Sequence, residues 1–248
     1  MRAALKKMGA PEDLVIGIET PSLETTNELM RQCDLVLATG GGAMVHAAYS
    51  SGSPALGVGV GNAVITVDDT ADLDAAAEKI YLSKTLDLAA SCSSDNSVVL
   101  LDSIYEAMLE KLKAQGGYLC NQEEKAALRN TLWDEELHLN TAIVAQPPGK
   151  IAQMAGLSIP EGTKFFIVPE DGWGPEHPFS GEKLSVIMAL YRARDIDHAI
   201  ELTQNIQAYQ GQGHSCGIYS SSDKNIMKLA ENTYTSRVMV NQPQAASN

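Results

Sequence analysis

Short apolar runs alternate with amphipathic stretches along the chain. Leu14-Val15-Ile16-Gly17-Ile18, Asp34-Leu35-Val36-Leu37-Ala38-Thr39, Pro54-Ala55-Leu56-Gly57-Val58 and Ala63-Val64-Ile65-Thr66-Val67 each have strand length and flanking turn residues. Helical spacing separates them at 22–31 and 43–49, and Ser22 stands where an N-cap belongs. Asp72 to Leu86 follows as an amphipathic helix. Downstream, strands are expected at Val98-Val99-Leu100-Leu101, 163–168, 186–191, 214–219 and 236–241. Helices are expected at 103–114, 123–132, near Ile151, at 195–209 and at 223–232, and Gly116-Gly117 reads as a stop. Strand and helix in alternation predict an α/β fold with a parallel sheet covered by helices.

The pattern changes near residue 90. Residues 1–90 read as one α/β part and 91–248 as a second. Met1 to Gly9 reads as a helix already under way, and a strand near the other end runs into Pro-Gln-Ala-Ala-Ser-Asn. Both ends are therefore expected to be cuts in something longer.

The charge is −13, with no basic cluster, which argues against a binder of nucleic-acid phosphates. The 4 cysteines show no CxxC spacing, so a reduced cytoplasmic protein is expected rather than a disulfide or zinc framework. No membrane span is expected, since no apolar run reaches roughly 18 residues. The histidines 46, 138, 177 and 198 form no ligand spacing, and no metal is expected.

Two features carry candidate chemistry. Cys92 sits among small residues, Ala89-Ala90-Ser91-Cys92-Ser93-Ser94, between a helical pattern and an apolar run. A thiol there suits a nucleophile, and it equally suits a small buried hydrophobe. Thr39-Gly40-Gly41-Gly42 joins a strand to a helix, where free N–H groups attract an anion. A phosphate cradle and a plain tight turn both satisfy those residues. Gly57-Val58-Gly59-Val60-Gly61-Asn62 is a second Gly-dense stretch, suited to close backbone approach or to a flexible connection.

Several ordered segments together resemble the CoA-acylating branch of the aldehyde dehydrogenases. They are Leu37-Ala38-Thr39-Gly40-Gly41, Ala47 to Gly52, Gly57 to Asn62, Ser83-Lys84-Thr85, Cys92, Glu182-Lys183-Leu184-Ser185, Gly213-His214-Ser215 and Arg237 to Asn241. The resemblance implies the second half of a Rossmann-type cofactor domain in 1–90 and an α/β thiol domain, C-terminally incomplete, in 91–248. It implies NAD or NADP as cofactor and coenzyme A as co-substrate. Thr39, Gly40 and Gly41 would lie at the pyrophosphate, Cys92 would be the nucleophile, Glu182 would hold the nicotinamide ribose, and Leu184 would pack near the ring. His214 would stand by the CoA or aldehyde channel. Ser91 and Ser93 would line the aldehyde pocket and favour a small polar aldehyde, with sulfoacetaldehyde the sharpest expectation. The whole protein would be a homo-oligomer acting on a small aldehyde and CoA.

Hydrolytic relatives carry a Glu where Gly57 stands, so its absence points to CoA rather than water as acyl acceptor. Where relatives often have Asn-Gly ahead of the nucleophile segment, this chain has Leu88-Ala89, and Val186 replaces a Pro. A hydrolytic enzyme, a non-catalytic truncated product and a glutamyl-phosphate reductase relative stay open as alternatives.

Overall fold

A computed structural model describes residues 1–247. The chain forms two compact units, Met1–Gly59 and Val60–Asn248. In the first unit, α1 (Arg2–Lys7), α2 (Leu23–Gln32), β1 (Val36–Thr39), α3 (Gly42–Tyr49) and β2 (Ala55–Val58) follow in order. Ser22 caps α2 by accepting the Thr25 N–H. β1 and β2 pair in parallel as a two-stranded sheet. The strand expected at Leu14–Ile18 does not form. Leu14, Val15, Ile16 and Ile18 are exposed, and no described strand offers them a hydrogen-bonding ladder.

The second unit is a parallel sheet flanked by helices. Its elements are β3 (Ala63–Val67), α4 (Leu73–Thr85), β4 (Asp95–Leu101), α5 (Tyr105–Ala114), β5 (Gly117–Leu119), α6 (Gln122–Leu132), α7 (Pro148–Ala155), β6 (Phe165–Pro169), β7 (Ile187–Ala193), α8 (Ile196–Tyr209), β8 (Gly213–Tyr219), α9 (Asp223–Glu231) and β9 (Thr235–Val240). The strand order is β5-β6-β7-β4-β3-β8-β9, every pair parallel. The central strands read as continuous buried runs, Val98–Leu101, Phe165–Val168 and Ile187–Tyr191, as expected of a sheet covered on both faces. The compact units divide at Gly59/Val60 rather than near residue 90, because β3 is hydrogen-bonded between β4 and β8. Among the described residues, no helix is long and apolar enough to cross a membrane.

The short strand β5 was masked by the Gly116-Gly117 stop. A Cβ on Gly117 would lie 2.7 Å from the Ile167 side chain and 2.8 Å from the Leu112 carbonyl, so this strand packs closely only because residue 117 is Gly.

α4 hands over to β4 through a left-handed turn. Asp87, Leu88 and Ala89 have φ of 47°, 53° and 60°. An L-residue in that region costs about 1–2 kcal/mol from Cβ–carbonyl crowding. Leu88-Ala89 therefore strains the segment that presents Cys92. Ala89→Gly relieves that strain while losing one buried methyl, worth about 0.8 kcal/mol. It is expected to leave thermal stability within about 0.5 kcal/mol of the parent, whereas Ala76→Gly, buried within α4, should cost about 1 kcal/mol or more. Denaturation curves of the two variants test this.

Candidate active site

β7, β4, β3 and β8 are adjacent in the sheet, and Leu184, Cys92, Gly61 and His214 lie at their amino ends. Cys92 occupies the apex of a tight turn closed by the Ser94 N–H donating to the Ser91 carbonyl at 3.0 Å. The Ser93 N–H donates to Ser91 Oγ at 3.3 Å, and the two hydroxyls are 2.9 Å apart. Ser93 and Ser94 are buried, and Ser94 Oγ donates to the Ser83 carbonyl, so of the three serines only Ser91 keeps part of its surface exposed. Cys92 itself is exposed.

His214 is the second residue of β8. Its Nε2 lies 3.4 Å from Cys92 Sγ, and its Nδ1 lies 2.9 Å from Ser215 Oγ. Partial burial, helped by the Arg237 guanidinium, lowers the His214 pKa and favours the neutral ring. A neutral imidazole against a thiol can take up a proton. Gly61 makes the approach possible. A Cβ there would lie 2.7 Å from the Cys92 carbonyl, 2.8 Å from Cys92 Cβ and 3.0 Å from His214 Nε2.

Glu182 reaches the same place from the strap before β7. Burial pushes its pKa up to about 7, against the opposing pull of the Gly61 N–H, Lys183 and Lys84. Lys183 is fully buried and donates from Nζ to the Phe179 and Gly181 carbonyls, both at 2.7 Å, folding the strap on itself. Its pKa falls well below the ordinary value by desolvation. Lys84 and Asp95 are buried nearby, shifted by desolvation in opposite directions to about 7 each, and Ser83 Oγ donates to Asp95 at 2.8 Å. Leu184 takes φ of 44° and its carbonyl accepts the Ala145 N–H at 3.1 Å.

The glycine-rich segment belongs to the first unit. Gly41 is the N-cap of α3, and the Gly40 N–H is spent on the Val58 carbonyl at 3.1 Å. A Cβ on Gly41 or Gly42 would meet nothing within 4 Å, so the space over this helix start is open. Beside it runs a groove of about 390 Å³ lined by Thr26, Leu29, Leu37, Thr39 and Met44. The open helix start and the apolar groove fit a phosphate and a flat ring of a dinucleotide.

The family model that matches is the aldehyde dehydrogenase family, over residues 1–122. A sulfoacetaldehyde dehydrogenase of Acholeplasma is 43% identical over all of this chain and 52% of its own length. An acetylating aldehyde dehydrogenase from Geobacillus thermoglucosidasius superposes with a TM-score of 0.95 at 38% identity, covering 98% of this chain and 54% of its own. Along nearly its whole length the chain is similar to CoA-acylating aldehyde dehydrogenases. It spans about half the length of the relatives it matches. A structure of Rhodopseudomonas palustris propionaldehyde dehydrogenase with bound CoA and an acylated cysteine matches 99% of this chain and 56% of its own, with a TM-score of 0.89 at 27% identity.

Cys92, His214 and Glu182 meet around one glycine, although they lie far apart in sequence. Lys84, Asp95 and Asn62 were not singled out as site residues. A charged or amide side chain beside an apolar run was the available signal, and it is weak because most such residues are solvated. Among the described residues, two other groups bring His and carboxylates together, Asp134/Glu136/His138 and Glu170/Asp171/His177. The first is exposed, and in the second Lys125 Nζ holds Glu170 at 3.0 Å. They read as ordinary ion-pair clusters.

Gly61→Ala places a methyl group into the Cys92 carbonyl and the His214 ring. It is expected to slow alkylation of Cys92 by iodoacetamide or shift its pH profile by at least about 10-fold in rate, because the pair must separate. Peptide mass mapping of alkylated Cys92 over a pH series checks it. Unchanged rates would show that the contact does not govern the thiol.

Proposed function

We propose that the whole protein oxidises a small aldehyde to its acyl-CoA, using NAD or NADP, through a thioester on Cys92. The observation that carries this reading is the exposed Cys92 thiol 3.4 Å from the His214 imidazole. The naming of the relatives as acylating aldehyde dehydrogenases and the acylated cysteine in the propionaldehyde enzyme support it.

The residues have separate tasks. Cys92 sulfur adds to the aldehyde carbon, and the new oxyanion is met by the Cys92 backbone N–H. Thr39, Gly40 and Gly41 bind the pyrophosphate, Glu182 binds the ribose next to the nicotinamide, and Leu184 packs near the ring. NAD(P)+ held by these residues would supply the hydride acceptor, and Cys92 would keep the oxidised carbon as an acyl thioester. The CoA thiol then attacks that thioester. His214 takes the thiol proton, and Cys92 leaves as thiolate. Atoms balance as aldehyde, CoA and NAD(P)+ giving acyl-CoA, NAD(P)H and a proton.

The substrate in this reading is a small polar aldehyde, sulfoacetaldehyde first. The part-exposed Ser91 beside the nucleophile and the Acholeplasma relative support it. A homo-oligomer in the cytoplasm completes the reading, consistent with four free thiols and an acidic surface.

Two outcomes test this. Incubating the whole protein with sulfoacetaldehyde and NAD(P)+ should add the acyl mass to the Cys92 peptide, and CoA should remove it. Label on Cys216 instead, or a higher specificity constant on acetaldehyde, would overturn the site or the substrate respectively. Gly57→Glu should not create CoA-independent acid production. Its Cβ would lie 2.6 Å from Val45 Cγ1 and 2.8 Å from the Tyr49 ring, so the variant should instead lose about 1–3 kcal/mol by overpacking, seen as a lower melting temperature.

A further inference from the structure

Asn62 follows Gly61 at the amino end of β3 and is fully buried. Its Nδ2 donates to the Ser180 carbonyl at 2.7 Å and to the Gln210 carbonyl at 3.1 Å. These two acceptors belong to different pieces of backbone. Ser180 lies in the strap that ends in Glu182, and Gln210 opens the turn between α8 and β8 that delivers His214.

Further contacts tie both pieces to the same point. Gln210 Oε1 accepts the Glu182 N–H at 2.9 Å. The Gly211 carbonyl accepts the His214 N–H at 3.0 Å. A Cβ on Gly211 would stand 2.5 Å from Asn62 Cβ, so this turn lies directly on the Asn62 side chain. The preceding residue, Gly61, gives its N–H to the Glu182 carboxylate and abuts Cys92 and His214. A shift of the Asn62 amide therefore moves the strap, the turn and the β3 start together.

We propose that Asn62 is a positioning residue that holds Glu182 and the Cys92–His214 pair in one frame. Its consequence for dinucleotide binding rests on the reading of Glu182 as the ribose ligand. Its consequence for the thiol does not.

The test uses the whole protein and its variants Asn62→Ala, Glu182→Gln and Asn225→Ala. Asn225 donates to Asp68 beyond the carboxyl end of β3, and it serves as a control for simple loss of a part-buried hydrogen bond. Three quantities are measured: NAD(P)H affinity by fluorescence, the pH profile of Cys92 alkylation by iodoacetamide, and the melting temperature. Asn62→Ala should weaken NAD(P)H about 10-fold and change the Cys92 alkylation rate by a similar factor. Asn225→Ala should lower the melting temperature and move neither of the other two. Should Asn62→Ala fail to fold, Asn62→Ser, which keeps one donor, should give smaller shifts in the same directions. Wild-type alkylation in a folded Asn62 variant overturns the proposal. So does an Asn225→Ala variant that shifts both readouts as much. If Glu182→Gln binds NAD(P)H as tightly as the parent, the ribose reading fails, and alkylation alone then decides for Asn62.

Discussion

The absent side chain at residue 61 is the constraint on which the site turns. Cys92 leads into β4 and His214 is the second residue of β8, and β3 lies between those two strands. Neighbouring strands are spaced about 4.8 Å apart, so β4 and β8 are separated by roughly twice that. Cys92 and His214 can meet only by reaching across the amino end of β3. Gly61 stands there, and the Cys92 carbonyl, Cys92 Cβ and the His214 ring fill the volume a Cβ would take. The parallel register, which places Val64 opposite both Ser97 and Cys216, holds the three strands in step.

Around that contact the structure buries charge. Lys84, Lys183 and Asp95 are fully buried, and Glu182 is mostly so. Desolvation dominates each shift, and the opposite charges only partly offset it. Opposite charges face one another there, and the strap before β7 turns its own carbonyls onto Lys183. The close-packed apolar strands β4, β6 and β7 supply the rigid support such an arrangement requires. Strain is concentrated beside it: Asp87, Leu88, Ala89 and Leu184 all take left-handed conformations in the segments that flank Cys92 and Glu182.

Much of this was legible from residue order. Ser22 as a cap, the helix at 73–85, β3 at 63–67 and most later elements follow from local periodicity and end signals. The apolar Leu14–Ile18 run misled, because a strand also needs a ladder partner, and the described sheet of the first unit has only β1 and β2. β5 escaped because a glycine pair signals a stop and also permits close packing. The expected division near residue 90 marked a change in chemistry, whereas compactness follows strand pairing and puts β3 with β4 and β8.

The order of residues determined which segments would be strands and helices, that a thiol would sit among small residues between a helix and a strand, and which family the chain resembles. These are local or ordered properties that the side-chain pattern carries directly. Only the tertiary structure decided that Cys92, His214, Glu182 and Asn62 would converge on Gly61, and that Ser93 and Ser94 would turn inward. Convergence depends on strand order, and that order is set by packing between segments far apart in the chain. The shifts at Lys84, Asp95 and Glu182 likewise arise from desolvation, which no single residue announces before the chain has closed around it.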